Sequence, residues 1–180
     1  HSCPSPCGPA KYSVMVAELP DLHAHERFMR LALDEARIAL EAGDIPVGAV
    51  IVHDGEVVST GRNATESQRN DLLHAEQVAV SRIPQFLWTH RRQCTLYTTL
   101  EPCAMCLGVS VYSAIDRIVW SASDPLCATE ATIACTPYYA KKRLILLGGV
   151  LASESQELLN EYVRRTPVRP YLHSSMKPTK

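Results

Sequence analysis

Apolar residues recur at helical spacing between Leu22 and Ala42. Met29, Ala32, Leu33, Ala36, Ala39 and Leu40 fall on one face, the stripe of an amphipathic helix packed on a core. Asp21 is placed to cap this helix and Gly43 to stop it. The period then changes. Pro46 to His53 is a short apolar run of the kind found in buried strands, Asp54-Gly55 is a two-residue hairpin turn, and Glu56 to Thr60 is the returning strand. A polar loop from Arg62 to about Leu73 leads to a short helix over His74 to Ile83, stopped by Pro84. Cys94 to Leu100 reads as a strand, Cys103 to Ala114 as a helix, and Arg117 to Ala122 and Leu144 to Leu147 as further strands. Ser153 with Gln156 makes a capping box for a last helix to about Arg165. Residues 123–143 carry no clear period. Alternation of strand and helix after residue 74 predicts an α/β domain, a three-layer α/β/α sandwich around a mixed sheet of about five strands.

The ends of the chain read differently. Residues 1–20 hold four prolines and no periodicity, a loose leader in which Cys3 and Cys7 stand alone. Residues 21–166 are the folded domain. Residues 167–180 are a tail that Pro167, Pro170 and Pro178 keep from continuing the helix.

Composition narrows the class. The chain is 46% hydrophobic and 21% charged, which excludes wholesale disorder. Its longest apolar stretch, Leu144 to Ala152, is far short of the ~20 residues of a membrane span, so no membrane partner is expected. Net charge is −1, but residues 141–180 carry eight basic and three acidic side chains, a weak pointer to a phosphate-bearing ligand. Seven cysteines, odd in number and irregular in spacing, fit a disulfide framework badly and predict a reducing, cytoplasmic setting.

Two segments carry the candidate chemistry, His74-Ala75-Glu76 and Pro102-Cys103-Ala104-Met105-Cys106, each predicted to open a helix. Cysteines at i and i+3 share a helical face. Cys103 and Cys106 with one imidazole, His74, suit Zn2+, and three protein ligands leave the fourth position open for catalysis. Residues at i and i+2 point away from each other along a helix, so His74 and Glu76 can serve one site only if the ion lies beyond the helix end. There Glu76 is the candidate general acid–base, acting on a water that zinc acidifies. A Cys103/Cys106 redox pair is the weaker alternative.

These motifs resemble those of the zinc-dependent cytidine-deaminase-like hydrolases, over about residues 24–165. Within that superfamily, Asp44-Ile45-Pro46-Val47-Gly48-Ala49-Val50, Gly61-Arg62-Asn63 and Thr99-Leu100-Glu101-Pro102-Cys103-Ala104-Met105-Cys106 look most like the tRNA adenosine deaminase branch, with guanine and cytosine deaminases close behind. The resemblance implies a cytidine-deaminase-like fold and a homodimer. It implies that His74, Cys103 and Cys106 bind zinc and that Glu76 shuttles protons. It also implies that Asn63 hydrogen-bonds the substrate, that the Ala75 and Cys103 amides orient it, and that the Glu101 carbonyl faces the departing amine. Asn63 has a plain alternative as a turn former. The chain lacks the Gly-Ala-rich loop of the bacterial tRNA enzymes and reads Ser123-Asp124-Pro125-Leu126-Cys127-Ala128-Thr129-Glu130 there. That difference and the negative net charge favour a free nucleobase or nucleoside as substrate. The tRNA-like segments and the basic C-terminal quarter support the alternative, tRNA adenosine-to-inosine deamination. A non-catalytic zinc-bearing partner subunit is the reading of another class, and the presence of Glu76 argues against it.

Overall fold

A computed structural model describes residues 22–166; the expected leader, the Asp21 cap and the tail lie outside them. The amphipathic stripe forms α1, Leu22–Glu41. Met29, Ala32, Leu33, Ala36 and Ala39 are completely buried on it and Leu40 nearly so. β1 (Gly48–His53) and β2 (Glu56–Arg62) form the expected hairpin. Its turn residues Asp54 and Gly55 have φ of 47° and 78°, the positive pair that a tight hairpin matching strand twist requires. α2 (Ala75–Ser81), α3 (Pro84–Thr89), β3 (Cys94–Leu100), α4 (Ala104–Tyr112), β4 (Arg117–Ala122), α5 (Thr129–Cys135), α6 (Pro137–Ala140), β5 (Ile145–Leu147) and α7 (Ala152–Arg165) follow.

The five strands form one mixed sheet in the order β2-β1-β3-β4-β5. β1 is antiparallel to both β2 and β3, while β3, β4 and β5 are parallel. Alternate residues feed two cores. Val50, Val52, Tyr97 and Val119 pack under α1 with Phe28, Met29 and Leu33, and α7 packs beside α1 on β4. Ala49, Ile51, Leu96, Ile118 and Trp120 pack against Ala79 of α2, Leu87 of α3, Leu107 of α4 and Ile133 of α5. The three-layer α/β/α architecture expected from the sequence is the one observed.

Some boundaries differ. The first strand begins at Gly48, because Pro46 has no N–H for the ladder and Val47 turns back to Ile45 O at 2.7 Å. Pro84 ends nothing; it sits at the first position of α3, where its missing N–H costs no hydrogen bond. The period-free stretch 123–143 contains α5 and α6. α7 starts one residue before Ser153, after Leu151 in a left-handed conformation, and no side chain caps it, so the capping box is absent.

The topology sets where chemistry can occur. β2, β3 and β4 all run in one direction, so their ends at Arg62, Leu100 and Ala122 lie on one edge of the sheet. Two of those ends lead into helices, α2 and α4, which pack against each other. Glycine makes the first of these dockings possible. A Cβ at Gly61 would stand 2.6 Å from the Ala79 amide nitrogen, well inside contact distance, so any other residue would push α2 off β2.

Candidate active site

His74 and Cys103 are the residues immediately before α2 and α4. Both have extended backbones, with φ/ψ of −69°/152° and −66°/170°, and neither side chain caps its own helix. Each side chain is therefore free to point past the helix end. His74 Nδ1 lies 3.6 Å from Cys103 Sγ and 3.5 Å from Cys106 Sγ, and the three donor atoms lie within 4.8 Å of one another. Zinc bonds of about 2.3 Å to sulfur and 2.0–2.1 Å to nitrogen at a tetrahedral angle require N···S separations of about 3.6 Å. The observed distances meet that requirement, so the donor set fits zinc. Cys106 is completely buried.

The protons of this cluster show what a cation would displace. The neighbouring Cys106 thiol holds Cys103 down to about 4, while Cys106, paired with Cys103 and buried, is pushed well up. The hydrogen bond with Cys103 raises His74. One thiolate thus keeps the other sulfur protonated. A dication replaces the proton, and both helix N-termini favour the negative charge that remains on the sulfurs.

Glu76 is buried in the first turn of α2, and burial pushes its carboxyl up from the ordinary carboxylate range. His74, just before α2, carries one of the three clustered donor atoms, the placement under which His74 and Glu76 could serve one site. Both residues line a cleft of about 500 Å³ open to solvent. Asn63, Ala75, Glu101 and Cys103 line the same cleft, so of the residues singled out in the sequence all but the buried Cys106 line it. Asn63 follows β2 directly. Its Oδ1 accepts from the Thr65 amide at 3.1 Å and the Thr65 hydroxyl at 2.9 Å, which is the turn-forming role; its amide nitrogen remains for the cleft.

Four contributors were missed. Asp44 Oδ1 accepts from the Glu66 and Ser67 amides at 2.7 and 2.9 Å and so fixes the loop that follows Asn63. Its signal in the sequence was a lone Asp between a helix stop and a strand. Asp124 and Cys127 line the cleft from the stretch without a period. Burial raises the Cys127 thiol, so it stays protonated. The Glu101 side chain is the fourth: its Oε2 accepts from the Asp124 amide at 3.0 Å and its Oε1 from the Thr129 amide at 2.9 Å. Glu101 thus holds the segment carrying Asp124 and Cys127 as one wall of the cleft.

Residues 22–122 match the family model of the cytidine and deoxycytidylate deaminase zinc-binding region. The chain belongs to this family of zinc-dependent deaminases. Its chemistry is therefore hydrolytic deamination with zinc as the cofactor. This deaminase is 33% identical over 142 residues to the tRNA-specific adenosine deaminase of Bacillus subtilis, across 77% of its own length and 88% of the relative. Among solved structures, it resembles a tRNA:A34 deaminase studied for A-to-I editing at the wobble position, with 34% identity and a TM-score of 0.66, over 73% of this chain and 98% of that one. The guanine deaminase of Bacillus subtilis is 34% identical with a TM-score of 0.52, over 59% and 69% of the two chains. Among the described residues no helix is long and apolar enough to cross a membrane.

Proposed function

We propose that this deaminase converts adenosine to inosine in tRNA. The similarity that extends over nearly nine-tenths of a tRNA-specific adenosine deaminase carries the reading. It reverses the preference for a free nucleobase drawn from the sequence, where the missing Gly-Ala loop outweighed the tRNA-like motifs. The likeness to a guanine deaminase supports the second reading, a free purine as substrate. In the main reading the enzyme works as a cytoplasmic homodimer.

The residue roles are those the family resemblance implies, and the cleft geometry supports them. His74, Cys103 and Cys106 would hold the zinc, and zinc when bound supplies Lewis acidity that brings a water's pKa to about 7. Glu76 takes a proton from the attacking water and delivers it to the ring nitrogen beside the reacting carbon. Glu76 then carries the proton of the newly added hydroxyl to the amino group, and the C–N bond breaks to release ammonia as the carbonyl forms. A buried carboxyl with a raised pKa suits both directions of transfer. The Asn63 amide donates to an acceptor on the substrate, because its oxygen is engaged by Thr65. The Ala75 and Cys103 amides, at two helix N-termini, orient substrate and water. The Glu101 carbonyl faces the departing amine.

Incubation of the zinc-loaded chain with an unmodified tRNA transcript carrying adenosine at the wobble position tests the reading. Inosine at that position, with one ammonia released per inosine, is the expected result. Ammonia from guanine or adenine with an unaltered tRNA would establish the second reading instead.

A further inference from the structure

At the far end of α4 from Cys103, a groove of about 470 Å³ lies between the segment that follows α3, the end of α4, and α6. It contains an unusual group of exposed rings. Tyr112 is 67% exposed and Tyr138 43%, whereas aromatic side chains ordinarily supply core area; Trp88, 74% exposed, stands outside the lining and reaches it only through Arg91. Tyr112 and Tyr138 are stacked on each other with centroids 5.1 Å apart and planes 14° from parallel. The arrangement is anchored from below: Tyr139, the neighbour of Tyr138, sets its hydroxyl against α4 at Gly108, where a Cβ would stand 2.9 Å from it. With Tyr139 seated inward, Tyr138 is turned outward onto Tyr112.

Cations are interleaved with these rings. Lys142 Nζ lies 4.4 Å from the Tyr138 centroid, and the Arg91 guanidinium lies 4.7 Å from that of Trp88. Arg92 also lines the groove, and Asp116, 3.6 Å from Arg92, is the one carboxylate lining it. Three cations against one anion give this groove a positive balance in a chain whose net charge is −1.

We propose that this groove docks RNA outside the catalytic cleft, with bases stacking on the Tyr112–Tyr138 pair and phosphates meeting Arg91, Arg92 and Lys142. The proposal rests on the reading of tRNA as substrate. Stacking rings lined with cations are the combination that binds exposed nucleotides. Tyrosine and arginine also suit a protein partner, but the positive balance of the groove favours a polyanion. Placement suits the role. Tyr112 is nine residues along α4 from Cys103, about 13 Å at 1.5 Å per residue, so a strand leaving the cleft covers the distance in about four nucleotides at 3.4 Å each.

The test is anisotropy of a labelled, unmodified tRNA transcript with adenosine at the wobble position, titrated with the zinc-loaded full chain at several salt concentrations. Tyr112→Ser and Tyr138→Ser should each weaken binding about tenfold. Arg91→Ala and Lys142→Ala should each weaken it and flatten the log–log salt dependence by about 0.7. Zinc content should be unchanged in all four. Wild-type affinity and salt slope in these variants would overturn the proposal. So would conversion of a dimer to a monomer in sedimentation, which would mean that a second copy of the chain occupies the groove. Inosine formation on tRNA, measured in parallel, separates the two claims. Binding that depends on the groove without any inosine keeps the docking surface and removes the tRNA deaminase reading. Inosine formed equally well by all the variants, with unaltered binding, removes the docking surface alone.

Discussion

Removing the Glu101 side chain should loosen the cleft wall without touching the metal ligands. Its two oxygens accept from the backbone amides of Asp124 and Thr129 at 3.0 and 2.9 Å. Hydrogen bonds to a charged partner contribute about 1.5–3 kcal/mol each, so the pair sets a ceiling of about 3–6 kcal/mol. Glu101 is half-buried, and water can reach the amides once the surrounding segment relaxes. The net loss in Glu101→Ala should therefore be about 2 kcal/mol, which for a chain of this size lowers Tm by about 4–8 °C. Glu101→Gln should be little better, because its amide group would turn one donor toward another. Asp124 and Cys127 line the cleft from this segment, so KM should rise about tenfold while kcat falls less and zinc content stays at one per chain. Thermal melts, metal analysis and steady-state kinetics on the tRNA transcript together read all three quantities. An unchanged Tm with kcat/KM within about twofold of the parent would show that the two bonds do not hold the wall.

Glu76→Gln should keep its zinc and its fold yet lose about 10⁴-fold in kcat, at the top of the range for a single acid–base group because Glu76 serves more than one transfer; retention of a tenth of the activity would assign the proton to another residue. Replacing Cys3, Cys7, Cys94, Cys127 and Cys135 together by Ser should leave one zinc per chain, and Cys106→Ala should abolish it; metal analysis decides both. Tyr97, whose hydroxyl meets His25 Nδ1 at 2.9 Å, is pushed up to about 12 by burial, against about 10 in an unfolded chain. The unfolded state therefore loses this proton first. The stability it confers is fully present below pH ~10 and is lost as pH rises toward ~12. Urea unfolding across that range should show a shallower alkaline loss in Tyr97→Phe than in the parent, and identical slopes would refute the assignment.

What could be read from the sequence was what local physics decides. The α1 stripe has a period only a half-buried helix explains, and Asp54-Gly55 is a turn because of the dihedral angles it must adopt. His74 and Cys103 were placed at helix starts, and the spacing of Glu76 from His74 allowed one shared site only beyond the helix end. Errors came where one residue type serves two local purposes. Pro84 can end a helix or begin one, and it begins α3. Ser153 can cap a helix or sit inside its first turn, and it sits inside.

The stretch 123–135 was illegible for a different reason. Its conformation is held from elsewhere: the bonds to Glu101 cross 23 and 28 residues, and Thr129 Oγ1 donates to Pro102 O across 27. No window of 11–18 residues contains both partners, so no periodicity can record them. The consequence reaches the chemistry. Glu101 follows β3 and lies two residues before Cys103, so the same turn that delivers a metal ligand also fixes the opposite wall of the cleft. Metal position and substrate wall are thereby tied to one short segment. The wall's own sequence is then free to vary, provided that an amide remains within reach of each Glu101 oxygen.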